Sequence, residues 1–284
     1  MKFADFPTAE SVAKAFQGEI KGKTVLITGI TQGGYGAEVA RVLTLFGAKV
    51  ILAGRSIDKI RETAKVIKKE TPTAEFRELV IDLGSQKSVR QAAAQVLEFQ
   101  EPIDVLMLNA GINYQTIRPT RALDLDFGGG KDYDKWAAYA QSKTANILFA
   151  VELAERYRDK NLLAFSLDPG ASATSLQQYM TKEDFIRFHY AYHPDGRPKG
   201  DWLGTVQENS ATLRSFYRGY VSYTLSSRCK DTQRERYVDQ NGSYLVKCQV
   251  TTDPEDLRPY ACDKECARTL WALSEEIVGQ KFDV

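Results

Sequence analysis

The sequence predicts an α/β fold with a parallel sheet covered by helices on both faces. Three observations predict it. Strand-length apolar runs alternate with segments of helical apolar spacing from residue 23 to residue 111. A glycine-rich turn lies between the first such run and the first such helix. No repeat, low-complexity tract or linker interrupts the 284 residues, so a single domain, 1–284, is expected.

In order along the chain, PTAESVAKAF (7–16) reads as a short helix capped by Thr8, within an N-terminal helical extension of residues 1–20. KTVLITG (23–29) is a β-branched apolar strand ending in glycine, and AEVARVLTLFGA has helical spacing. KVILAGRS (49–56) is the second strand, followed by the helix IDKIRETAKVIKKE. EFRELVIDL (75–83) is the third, SVRQAAAQVLEFQ the next helix, and IDVLMLNAG (103–111) the fourth strand. Right-handed crossovers then leave few topologies besides a Rossmann-type, doubly wound parallel sheet. WAAYAQSKTANILFAVELAERY (136–157) is the longest helical pattern, LLAFSLDPG (162–170) a further strand stopped by Pro169 and Gly170, SYLVKCQV (243–250) a last strand, and DKECARTLWALSEEIVG a closing helix. Residues 175–250 form a less regular, substrate-side segment, aromatic-rich over 175–225.

Composition is that of an ordinary globular protein, 43% hydrophobic and 26% charged. A formal net charge of +1 gives no reason to expect nucleic acid or an anionic membrane as partner. No N-terminal segment resembles a signal peptide, and no apolar run approaches the about 18–20 residues that span a bilayer. A cytoplasmic protein is expected. Cys262 and Cys266 are four apart in a helical pattern, but the only histidines are His189 and His193 and there is no second close cysteine pair, so no metal site is read.

The turn TGITQGGYG (28–36) carries the first chemistry. Glycines let the chain turn sharply and let backbone amides approach a pyrophosphate, and the helix that follows presents its N-terminus to the anion. A glycine turn alone also serves plain tight turns; its place between a strand and a helix is what points to a dinucleotide. The second strand ends in AGRS, where an acidic residue would bind the ribose 2′-hydroxyl of NAD. Arg55 stands there, and a guanidinium suits the 2′-phosphate of NADP(H). Asp82, ending the third strand, could accept from the adenine amine or cap the next helix.

TGITQGGYG, GRS, DL, NAG (109–111), YAQSK (139–143) and DPGASAT (168–174) together resemble, in their order, the short-chain dehydrogenase/reductase family. The phosphate loop is one residue longer than the commonest form, which assigns Gly29, Gly33, Gly34 and Gly36. AYAQSKTANILF is similar to the branch holding retinol dehydrogenases and many fungal oxidoreductases, including those of secondary metabolism. The resemblance implies an NADP(H)-dependent enzyme interconverting an alcohol and a carbonyl. Tyr139 would be the acid/base, and Lys143 would hold the nicotinamide ribose. Asn109 would close the cofactor cleft and Thr174 would touch the nicotinamide end. Tyr139 and Lys143, four apart on one helix, share a face. An isolated phenol titrates near ~10, and a nearby ammonium is expected to lower it. The aromatic segment is expected to cover a pocket for a bulky apolar substrate. Many relatives are homo-oligomers; the sequence itself carries no assembly signal.

One piece of the family's pattern is missing. A helix, and a strand ending in the serine that orients the substrate oxygen, should separate NAG from the tyrosine. The 29 residues between Asn109 and Tyr139 are too few for both, and residues 112–135 hold no serine. The fold is therefore expected to be one strand and one helix short. Thr116 and Thr120 are the hydroxyls left to replace the serine; Ser142 belongs to the YxxSK pattern itself. Three readings stay open: a reductase with a rebuilt site, a non-redox protein (binding or isomerase/cyclase) on the same fold, or an inactive product lacking a piece of a normal reductase.

Overall fold

The computed structural model describes residues 8–111, 127–160, 162–170, 181–187, 193, 205–208, 210, 238–246, 249–254 and 257–282. Thr174, Thr116, Thr120 and most of the aromatic segment lie outside them.

Helix α1 (Ala9–Ala15) starts where Thr8 accepts from the Ser11 amide, as its sequence signature predicts, and α2 (Gln17–Ile20) follows. Four strands then build a parallel sheet: β1 (Thr24–Thr28), β2 (Lys49–Gly54), β3 (Glu75–Val80) and β4 (Val105–Met107). Their spatial order is β3-β2-β1-β4, the left half of a Rossmann sheet. The helices between them are α3 (Tyr35–Leu45), α4 (Ile57–Glu70) and α5 (Gln86–Glu98). Period-two alternation divides the strands between two cores. Val25, Ile27, Val50, Leu52, Val105 and Met107 face the side covered by Val39, Val42 and Leu43 of α3 and Ile60 and Ile67 of α4. Leu26, Ile51, Ala53 and Leu79 face Ala92 of α5. The sheet is thus buried on both faces, the condition that parallel sheets require.

The second half starts with the short α6 (Phe127–Gly130) and the long α7 (Lys135–Arg156). Asp134 caps α7 by accepting from the amides of Trp136 and Ala137. A separate sheet follows, order β5-β6-β7, from β5 (Ser166–Asp168), β6 (Tyr244–Val246) and β7 (Gln249–Val250). Helix α8 (Lys182–Arg187) lies between β5 and β6, and α9 (Lys264–Val278) closes the chain. α9 packs on α7 through Trp271, stacked on Phe149 at 5.4 Å, with the Arg156 guanidinium 4.7 Å from its ring centroid.

The sheet therefore divides between β4 and β5, and the described residues between β4 and α7 hold one short helix and no strand. This is the place where the serine-bearing strand was expected to be lost. Leu167 of β5 packs against both the first core and the cluster of Leu163, Phe165 and Leu245, so side-chain packing spans the break.

Two expected strands are shorter than their apolar runs. β4 stops at Met107 because the chain turns onto the end of β1. The Ala110 amide donates to Thr28 Oγ1 at 3.1 Å, and Asn109 Nδ2 donates to the Thr28 carbonyl at 3.0 Å. The regular ladder of β5 begins only at Ser166. Before it, the Asn241 side chain accepts from the Ala164 amide and donates to the Leu162 carbonyl, standing in for strand bonds. The run 243–250 forms two strands, β6 and β7, paired antiparallel.

The end of α9 offers a pH test of stability. Glu275, 7% exposed, accepts from the Phe282 amide, Lys281 Nζ and Trp271 Nε1. The Phe282 amide above all, with Lys281 and Trp271, holds its carboxyl down at about 2 against an ordinary 4.5. A depressed carboxyl stabilises the fold fully above its unfolded value, and that stability is lost as pH falls towards the folded value. Wild type should therefore lose unfolding free energy between about pH 4.5 and about pH 2, and Glu275→Gln should lack that component. The gap between the two proteins in urea unfolding should shrink over this interval; a pH-independent gap contradicts the assignment.

Candidate active site

The phosphate loop is built by close approach. Gly29 has φ +74, and a Cβ on it would stand 2.6 Å from Ala110 Cα. A Cβ at Gly36 would meet the Gly29 carbonyl oxygen at 2.5 Å and Asn109 Nδ2 at 2.6 Å. Glycine at both positions lets the NAG turn close on the loop, and Asn109 Nδ2 donates to the Gly29 carbonyl at 2.9 Å. Gly34 is the N-cap of α3 and supplies no side-chain cap, so the first-turn amides of α3 keep donors for an anion. These features fit a dinucleotide's pyrophosphate. Gly33 turns the chain in the same loop, with open space around the position of a Cβ.

Arg55 is exposed just beyond β2, where sequence placed it. Of the two readings open for Asp82, helix capping does not hold. Ser85 caps α5 by accepting from the Ser88 amide, while Asp82 Oδ1 accepts from the Gly84 amide within its own turn.

Tyr139 and Lys143 share a face of α7, and that face meets the NAG turn: Lys143 Nζ lies 3.3 Å from the position a Cβ at Gly111 would take. The ammonium sits 5.3 Å from the Tyr139 ring centroid, over the ring. The expected acidic phenol is not found in this arrangement. Burial, followed by the Asp168 carboxylate and the Tyr35 phenol, pushes Tyr139 above its ordinary value of 10.0. Lys143 is exposed on α7, yet desolvation of its ammonium by the surrounding protein lowers it from 10.5, partly opposed by Asp168. Ser142 donates to the Tyr139 carbonyl at 2.8 Å on the exposed side of the helix, as its place in the YxxSK pattern implies.

Three residues went unassigned in the sequence. Asp168 reads there only as part of a turn, but its carboxylate acts electrostatically on both Tyr139 and Lys143, and it accepts from the Gly170 amide at 2.7 Å. Tyr35, set among the loop glycines, donates its hydroxyl to the Gly170 carbonyl at 3.1 Å. Asp184, 3% exposed, accepts from Lys135 Nζ, Trp136 Nε1 and the Thr181 amide and hydroxyl, fixing α8 to the first turn of α7. Tyr35's position in the glycine loop was a usable signal; for Asp184 the three-residue spacing to Thr181 could signal a helix cap, but nothing signalled its α7 partners, 48 and 49 residues away.

The short chain dehydrogenase family matches this chain over residues 23–126. Mouse retinol dehydrogenase 13 is 32% identical over 306 positions, covering 92% of this chain and 85% of the relative. A short-chain dehydrogenase/reductase of Armillaria gallica is 32% identical over 216 positions, covering 57% and 69%. The match to the mouse protein is longer than this 284-residue chain, so the relative carries residues inside the matched span that this chain lacks. Among solved structures, a Mycobacterium paratuberculosis protein has TM-score 0.58 at 23% identity, covering 93% of this chain and 96% of the other. A short chain dehydrogenase of Salmonella enterica has TM-score 0.54 at 18% identity, covering 81% and 98%. Those two likenesses speak for the fold. Together with the sheet order, the glycine cradle and the relatives' identity over most of their length, they make this chain a member of the short-chain dehydrogenase/reductase family, oxidoreductases that bind a nicotinamide cofactor.

Proposed function

We propose that the chain is an NADP(H)-dependent oxidoreductase that interconverts an alcohol and a carbonyl on a bulky apolar small molecule. The observation that carries this reading is the placement of Tyr139 and Lys143 on one face of α7, with Lys143 against Gly111 and the phosphate loop closed on the same NAG turn. The cofactor supplies the hydride. The first-turn amides of α3 bind its pyrophosphate, Arg55 pairs with the 2′-phosphate, and Lys143 holds the nicotinamide ribose. Tyr139, kept protonated at neutral pH by burial and Asp168, donates its proton to the alkoxide formed from the carbonyl substrate. A raised phenol keeps the acid form that reduction needs available to higher pH. The relatives named for retinol, an isoprenoid alcohol, support an apolar substrate. A place in secondary metabolism rests on the fungal resemblance.

Arg55→Ala is the direct test of the cofactor. It should weaken NADPH by roughly tenfold or more, the scale of a charge-assisted phosphate contact, with little effect on NADH. Equal affinities for both cofactors before and after the substitution would eliminate the NADP(H) assignment. Oxidation of NADPH with a panel of hydrophobic ketones tests the reaction itself.

A second reading has its own support: the chain lacks an internal piece of a parent reductase and turns over weakly or not at all. Among the described residues the first sheet ends at β4 and Ser166 Oγ on β5 is buried with no hydrogen-bond partner, and the relative's match is longer than the chain. A transcript carrying an additional in-frame stretch between the codons of residues 105 and 145, with a serine, would establish it.

A further inference from the structure

We infer that Tyr35 is a positioning residue that ties the turn after β5 to the phosphate loop across the break in the sheet, and so sets the nicotinamide end of the cofactor cleft. The inference rests on the reading of the cleft as a dinucleotide site. In an unbroken Rossmann sheet, strand ladders fix the loop after each strand relative to the loop after β1. Among the described residues no ladder joins β4 to β5, and the turn Asp168–Gly170 follows a strand of one sheet while the phosphate loop follows a strand of the other.

Contacts around the cleft form a ring. Gly29 and Gly36 approach Asn109 and Ala110, Gly111 faces Lys143 Nζ, and Lys143 lies over the Tyr139 ring. Asp168, whose charge acts on Lys143, accepts from the Gly170 amide. The Tyr35 hydroxyl, donating to the Gly170 carbonyl at 3.1 Å, returns the ring to the first turn of α3. Elsewhere the two halves are also joined, where Arg90 of α5 donates to the Val278 carbonyl and to the Gln280 side chain, but that link is at the C-terminal end of α9. Tyr35 is the first residue of α3, directly after the Gly34 N-cap, so its ring reaches the turn from the cofactor cradle itself. An aliphatic residue there would pack but could not donate.

Tyr35→Phe keeps the ring and removes the bond. Amide hydrogen exchange of 166–170, NADPH affinity, and affinity for adenosine 2′,5′-bisphosphate, which fills only the adenosine half, are measured on the full chain. The expected result is severalfold faster exchange over 166–170. NADPH should bind about 2–10-fold more weakly, the factor of one net hydrogen bond, with the bisphosphate unchanged. Exchange and NADPH affinity both at wild-type values would overturn the inference, as would equal weakening of both ligands, which marks general loosening of the phosphate loop. If wild type binds neither NADPH nor NADH, the functional reading fails, and unchanged exchange in Tyr35→Phe then overturns the link on its own.

Discussion

Tyr139→Phe is expected to reduce turnover by about 10²–10⁴-fold, the usual contribution of a positioned acid/base, while NADPH affinity stays within about twofold of wild type. The phenol's place explains both halves of the result. Its ring is held by α7, with Trp136 edge-on at 6.5 Å and Lys143 above, and phenylalanine keeps those contacts. Only the proton is lost. The pH dependence follows from the raised phenol. Reduction needs the protonated form, so it should persist through neutrality and fall on the alkaline side as Tyr139 ionises. Oxidation needs the phenolate and should rise with pH over that same interval. Asp168→Asn removes a carboxylate that raises Tyr139, so both limbs should move to lower pH. Comparable turnover in Tyr139→Phe and wild type would remove Tyr139 from the chemistry.

Asp184→Ala should cost about 3 kcal/mol in urea unfolding, and Asp184→Asn less, because the amide keeps an acceptor for the Thr181 groups. The carboxylate is 4% exposed in its side chain and joins two elements that are distant in sequence. Lys135 Nζ reaches it at 2.5 Å and Trp136 Nε1 at 3.1 Å from α7, and the Thr181 amide at 2.8 Å from the start of α8. Thr181 Oγ1 accepts in turn from the Asp184 amide, a reciprocal cap on α8. Removing the carboxylate strands the indole N–H and the Thr181 donors. Lys135, 30% exposed, recovers part of its hydration, which keeps the cost below that of a fully buried pair. Lys135 is one helical turn before Tyr139, so turnover should fall with stability. A loss under about 1 kcal/mol would show that the knot is dispensable.

The left half of the fold could be read from the sequence because its determinants are local. β1, β2 and α4 occupy their apolar runs almost residue for residue, since burial on both faces demands continuous strands and Ser56 marks the start of α4 by accepting from the Lys59 amide. The glycine spacing of the phosphate loop is local for the same reason: Gly29 needs its positive φ within a single turn. In the right half, apolar runs overstate the strands, because a side chain from 77 residues away, Asn241, takes the bonds of Ala164. The short interval between Asn109 and Tyr139 was legible as a count of residues; the division of the described strands into two sheets was not.

The sequence by itself determined the fold class, the cofactor cradle and the pairing of Tyr139 with Lys143 on one helical face, since each depends on spacing of a few residues. Only the tertiary structure decided the electrostatics of that pair. Lys143 lies over the ring, and burial, with the charge of Asp168 from β5, raises the phenol that spacing alone would make acidic. A charge's effect depends on its distance and on the water it displaces, and both are set by elements far apart along the chain.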